Sequence, residues 1–196
     1  MASSSHIGNL LIFVGPTCVG KSTLIRALQE RIPNAGLLVS VTTRPMRQGE
    51  VNGVHYHFVT DEAFVASIEA GEFYEAVERG GYRYGSSKRL VEQLRAGHTL
   101  VLGDLNVEGA HLVKEMTPDM NAVFLVPDTM DALNERLHLR GTSDKEIAIR
   151  LGIADEEMKH VDDFDAKIVN VDGKFEDTVA QALDLIRAKF PEVAIG

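Results

Sequence analysis

Apolar residues along this chain gather in short runs that alternate with amphipathic stretches. Leu10 to Val14 reads as a buried strand, and from Ser22 onward Leu24, Leu28 and Ile32 recur along one side of a helix. Four further strand-like runs follow, at Leu37 to Val41, Thr99 to Leu105, Ala122 to Val126 and Ala166 to Asn170, each separated from the next by at least one helical pattern. That alternation predicts an α/β fold with a parallel sheet flanked by helices. The last helix is the clearest, because Val179, Leu183, Ile186 and Phe190 recur at spacings of three and four before Pro191 stops it.

Two stretches break the rhythm. From about Val51 to Leu94 aromatic and polar residues alternate (Val54-His55-Tyr56-His57-Phe58) among glycines and short strand-like pieces, which predicts a small, partly β insertion that binds a substrate. Residues 1–40 and 95–196 then form the core and residues 41–94 the inserted lobe. The second break, Arg140-Gly141-Thr142-Ser143, falls between two helices, and a glycine beside arginines suits a helical lid over about 138–156. Ser143 and Glu146 have capping-box spacing for the helix that follows.

The most informative residues join the first strand to the first helix. Gly15-Pro16-Thr17-Cys18-Val19-Gly20-Lys21-Ser22 match G-x-x-x-x-G-K-[ST] in full, with Thr23 next in line. In that setting glycines let the backbone curl so that consecutive N–H groups face phosphate oxygens, and the positive end of the helix dipole adds attraction. Lys21 then reaches the β- and γ-phosphates, and Ser22 is a ligand for Mg²⁺. A chance match in an ordinary strand–turn–helix is the bland alternative. The expectation is a P-loop fold that binds a nucleoside triphosphate.

Composition narrows the class. A chain of 196 residues has room for one sizeable α/β domain with an insertion, and 44% hydrophobic with 25% charged residues is ordinary for a globular protein. No apolar run approaches the ~20 residues needed to cross a bilayer. The start, Met1 to His6, lacks the basic and apolar regions of a signal peptide and reads as a loose tail. A single cysteine, Cys18, fits a reducing compartment, so cytoplasm is expected. The net charge of −9 argues against a general nucleic-acid surface. Arg44 with Arg47, and Arg136 with Arg140 and Arg150, still form two local groups suited to anions.

With these motifs in place the chain resembles the guanylate kinases over nearly its whole length. The most specific part is Ser40-Val41-Thr42-Thr43-Arg44-Pro45-Met46-Arg47-Gln48-Gly49-Glu50-Val51-Asn52-Gly53-Val54-His55-Tyr56-His57-Phe58. Glu72-Phe73-Tyr74-Glu75, Tyr84-Gly85-Ser86, the region of Asp104, Arg140-Gly141-Thr142 and Ile168-Val169-Asn170 also match. The resemblance implies transfer of a phosphoryl group from ATP to GMP or dGMP, with Mg²⁺ as the cofactor and no nucleic-acid or membrane partner. It implies that Arg44 and Arg47 hold the acceptor phosphate, as the planar guanidinium fork suits phosphate oxygens, with Tyr56 and Tyr84 donating phenolic hydrogen bonds. Taken alone, both tyrosines could equally be core aromatics of a small lobe.

Glu75 is implied as the carboxylate that accepts from the guanine ring N–H and 2-amino group, with Ser40 and Ser86 bonding around the base. Lys21 and the metal would neutralise the donor phosphates, with Ser22 a direct metal ligand and Asp104 holding the metal's water. Arg136, Arg140 and Arg150 match arginines that approach the phosphates or adenine as the lid closes, and Asn170 matches a position near the adenine. A solvated basic stripe is the plain alternative for Arg136 and Arg140.

Three departures from the family pattern stand out. Cys18 replaces a small residue in the loop. Asn106 stands where a second strand-end carboxylate is expected, removing a charge and adding a donor beside the base and the metal. Ala76, Arg83 and Val171 also differ from the usual neighbours of Glu75, Tyr84 and Asn170. These changes leave room for a relative that phosphorylates a modified purine nucleotide or ribose 1,5-bisphosphate. A noncatalytic protein-binding module of the same family is a further reading, opposed by the retained Gly15, Gly20, Lys21 and Ser22. His55 and His57 flank Tyr56 and are expected on one strand face, as a solvent-facing pair rather than metal ligands.

Overall fold

The computed structural model describes residues 7–196, apart from the side chain of Arg79; the expected loose tail, residues 1–6, lies outside the described residues. In chain order the elements are β1 (Asn9–Val14), α1 (Lys21–Arg31), β2 (Ala35–Leu37), β3 (Val41–Thr42), β4 (His57–Phe58), α2 (Asp61–Glu69), β5 (Phe73–Arg79), β6 (Tyr82–Ser87) and α3 (Lys88–Gly97). They continue with β7 (Leu100–Asp104), α4 (Val107–Met116), β8 (Asn121–Pro127), α5 (Met130–Leu139), α6 (Asp144–Met158), β9 (Ala166–Asn170) and α7 (Phe175–Lys189).

Five of the strands form one parallel sheet in the order β2-β7-β1-β8-β9. Its central strand is apolar on both faces because helices cover both. Leu10, Ile12 and Val14 pack with Val91, Ala110, Val113 and Phe124 on one side, while Leu11 and Phe13 meet Leu24, Leu28, Val179, Leu183 and Ile186 on the other. Strands buried on two faces lose the alternation of a half-exposed sheet, which is why Leu10 to Val14 reads as a continuous run. Each such side chain contributes about 1.5–3 kcal/mol by leaving water. Leu24, Leu28, Ile32, Val179, Leu183, Ile186 and Phe190, picked out by their spacing, are all buried.

One expected strand divides. The run Leu37 to Val41 leaves the parallel sheet after Leu37 and re-enters as β3 in a second, four-stranded sheet of order β4-β3-β6-β5. Leu38, Val39 and Val41 are all buried as the chain passes between the two sheets, so burial alone conceals the hand-over. In the second sheet β3 runs parallel to β4 and antiparallel to β6, and β5 runs antiparallel to β6 with a register shift between Phe73 and Glu75. His55 lies before β4 rather than on it. Its Nδ1 accepts from the Val51 N–H at 3.0 Å, so only His57 of the expected pair is in the strand.

The helix expected after Gly141 is α6, and Ser143 is its N-cap, but no capping box forms. The Ser143 side chain makes no capping bond, and Glu146 accepts from Arg150 one turn along instead.

Candidate active site

The chain reaches outward from β1 through α1 to β2 and later returns to both sides of β1 through β7 and β8. This reversal opens a crevice at the carboxyl ends of the central strands, where open α/β sheets bind ligands. The phosphate loop follows β1 at that point, Asp104 ends β7 beside it in register with Phe13, and Asn170 ends β9.

Three loop residues have left-handed φ angles: Gly15 (134°), Cys18 (67°) and Gly20 (109°). Cys18 is the one non-glycine residue with positive φ among the described residues. A β-carbon at Gly15 would lie 2.4 Å from the Leu125 carbonyl oxygen, so only glycine lets the loop lie this close to β8. Lys21 Nζ folds over the loop and donates to the carbonyls of Gly15 (2.5 Å) and Pro16 (3.0 Å).

A cavity of about 580 Å³ joins this loop to the second sheet. Gly15, Thr17, Cys18, Gly20, Lys21 and Ser22 line one end, and Ser40, Tyr56, Glu75 and Tyr84 the other, with Asp104 and Asn106 also on its wall. Pro16 and Val19 are buried behind the loop. A second cavity of about 370 Å³ lies on the other side of the loop and is lined by Thr23, Arg136 and Asn170. Cys18, Gly20 and Arg140 line both cavities, so Arg140 stands at their junction. Arg150 lines neither; it pairs with Glu146 at 2.6 Å.

At the end of the cavity away from the loop, Glu75 is only 8% exposed and accepts from the Ser86 hydroxyl at 2.8 Å. Burial pushes its pKa up, against the Ser86 bond, and the nearby charge of Glu108 adds to the rise. Ser86 is fully buried behind it and reaches the cavity through Glu75 rather than facing it. Burial also raises the Tyr56 phenol, with Asp104 the next contributor. The Tyr56 ring stands edge-on to Tyr84 at 5.9 Å. Asn106 takes a role that its position alone did not reveal: its Oδ1 caps α4 by accepting from the Gly109 N–H at 2.9 Å.

Arg44 is buried, and its guanidinium lies 5.3 Å from the Tyr56 ring centre. Its partner Glu50 was not singled out from the sequence, although it lies six residues on in the same segment; Glu50 lines the cavity, whereas Arg44 lines neither cavity and sits behind it. Hydrogen bonding to Glu50 is the main influence raising the Arg44 pKa. The Arg47 side chain is exposed and lines neither cavity, while its backbone N–H donates to Glu50 at 2.7 Å. Glu157 of α6 also lines the main cavity, with no signal in the local sequence.

The guanylate kinase family model matches residues 7–189. A guanylate kinase of Idiomarina loihiensis is 44% identical over 192 residues, covering 96% of this chain and 90% of that protein. One of Wolinella succinogenes is 45% identical over 169 residues, covering 85% and 79%. Among solved structures, the crystal structure of guanylate kinase from Anaplasma phagocytophilum superposes with a TM-score of 0.73 at 28% identity, covering 95% of this chain and 88% of that one. With a phosphate loop facing a buried carboxylate across one cavity and these matches along its length, the chain belongs to the guanylate kinase family.

Proposed function

We infer that this chain transfers the γ-phosphoryl group of ATP to GMP or dGMP within the larger cavity, with ATP entering past the phosphate loop. The carrying observation is that Lys21 and Ser22 share one cavity with Glu75, Tyr56 and Tyr84. ATP-dependent phosphotransfer to GMP is the activity of the family, and the membership covers nearly the whole chain. Among the described residues no helix is long and apolar enough to cross a membrane. The single cysteine, sitting in the phosphate loop, supports a cytoplasmic location.

The protein's part in this chemistry is positioning and charge. The 2-amino group and ring N–H of guanine are adjacent donors, and the ionised Glu75 carboxylate accepts both; adenine offers no such pair and would leave Glu75 unsatisfied. Arg44, oriented by Glu50, and the phenols of Tyr56 and Tyr84 would hold the acceptor phosphate, with Arg47 joining from the exposed side. Loop N–H groups and Lys21 would bind the donor phosphates, and Arg140 at the junction is placed to meet charge spread over the transferring group. Ser22 and Asp104 supply hard oxygen donors to the same cavity, which suits Mg²⁺ bound directly by Ser22 and through water by Asp104. When bound, Mg²⁺ neutralises charge on the donor phosphates. Residues 41–94 serve as the acceptor lobe and residues 138–156 as the lid that carries Arg140 and Arg150 inward.

A coupled assay with ATP and Mg²⁺ across GMP, dGMP, AMP, IMP, UMP and ribose 1,5-bisphosphate tests this assignment. GMP and dGMP should give the highest kcat/KM, and a higher value for ribose 1,5-bisphosphate or AMP would overturn it.

A further inference from the structure

The phosphate loop is braced from outside by a chain of hydrogen bonds that ends on one carbonyl. Asn170, 6% exposed, donates from Nδ2 to the Val19 carbonyl oxygen at 2.8 Å. Its Oδ1 accepts from the hydroxyl of Thr178 in α7 at 3.0 Å, and Thr178 is 1% exposed. A carbonyl can only accept, so the amide nitrogen must face Val19, and the Thr178 hydroxyl must then donate to the amide oxygen. The orientation of Asn170 is therefore fixed by its partners. Arg136 Nη1 donates to the same Val19 oxygen at 3.2 Å, and the arginine is itself anchored by Asp172. Both acceptor sites of that carbonyl are used.

In a planar trans peptide the C=O and the following N–H point in opposite directions. Pinning the Val19 carbonyl toward Asn170 and Arg136 aims the Gly20 N–H the other way, into the phosphate side of the loop. The fit is close: a β-carbon on Gly20, whose φ is 109°, would lie 2.6 Å from Asn170 Nδ2.

The geometry points to Asn170 and Thr178 as positioning residues for the donor phosphates: acting through the Val19 carbonyl, they set the aim of the Gly20 N–H. This rests on the phosphate loop holding the triphosphate of ATP, and it gives Asn170 a role that does not depend on the donor base. An amide that worked through adenine would act on base selection; one that works through Val19 acts on every nucleoside triphosphate alike.

The test uses Asn170→Asp, which presents an acceptor to the Val19 carbonyl, and Thr178→Val, which keeps the volume and removes the donor that orients the amide. For each, kcat/KM is measured with ATP and with ITP at saturating GMP, together with the KM for GMP and the thermal midpoint. Asn170→Asp should lower kcat/KM for both donors by about tenfold, the worth of one well-placed hydrogen bond, with the ATP-to-ITP ratio and the KM for GMP unchanged. Thr178→Val should shift the same two values in the same direction by less, which keeps the idea testable if the aspartate variant does not fold. A changed ATP-to-ITP ratio would place Asn170 on the base and overturn the inference. Unchanged donor kinetics, or a parallel loss of GMP affinity, would also overturn it. Lys21→Ala run alongside separates the two ideas: if it leaves donor kinetics intact, the reading of the loop fails, whereas a loss confined to Lys21→Ala defeats the inference alone.

Discussion

One carboxylate closes on both terminal nitrogens of Arg44: Nη2 donates to Oε1 of Glu50 at 2.7 Å and Nη1 to Oε2 at 3.0 Å. The bidentate pair fixes the plane of the guanidinium against the Tyr56 and Phe58 rings, so the remaining N–H groups have a defined direction before any acceptor arrives. Chain entropy that a mobile arginine would lose on binding phosphate has been lost on folding.

The Glu50 carboxyl is lowered from 4.5 to about 2, first by its bond to Arg44 and then by the Arg47 N–H. A depressed carboxyl stabilises the fold above its unfolded pKa, and the contribution is lost as pH falls through the folded value. Glu50→Gln should therefore melt below wild type at neutral pH. The gap should close between pH 4.5 and about 2. Melting curves across pH check this, and a gap that persists at the acid end would contradict it.

Glu75 shifts the opposite way. Because burial raises its pKa, guanine binding should weaken on acidification from a higher pH than an ordinary carboxylate would give. The GMP phosphate also titrates near pH ~6. Glu75→Gln should lose about 1.5–3 kcal/mol of GMP binding, roughly ten- to a hundredfold, along with the part of the pH dependence that belongs to Glu75. A raised carboxyl costs stability as pH rises, so the same variant should melt above wild type at neutral pH and converge with it in acid. Calorimetry and melting curves measure the two effects separately.

Asn106→Asp keeps an oxygen for the Gly109 N–H and adds a negative charge at the α4 N-terminus, so the helix should be no less stable. It also brings a second acid toward Glu75, whose side chain packs against Gly109. The expected result is a pH profile for the GMP KM whose acid limb moves to higher pH. An unmoved limb would show that position 106 does not sense the Glu75 carboxylate.

Lys21→Ala should fold and lose at least about a hundredfold in turnover, on the order of 3 kcal/mol in the barrier, since Nζ is the loop's own cation. Stopped-time assays at saturating ATP and GMP, with circular dichroism as the folding control, decide it.

The sequence by itself determined the parallel core and the phosphate loop, because both are written locally. Leu10 to Val14, the Gly15–Ser22 motif and the stripe of α7 carry their meaning in adjacent or helically spaced residues. Resemblance to a family extended this reading to Glu75, Tyr56, Tyr84 and Asp104, which the structure brings around one cavity. Only the tertiary structure decided what depends on partners distant in sequence. Leu37 to Val41 divides between two sheets because burial is the same on either side of the crossing. Ser86 serves Glu75 eleven residues away, Asn106 spends its oxygen on a helix end, and Asn170 reaches Val19 across 151 positions. A hydrogen bond is a matter of direction within about 3 Å. Periodicity places side chains on faces, but packing alone sets which donor meets which acceptor.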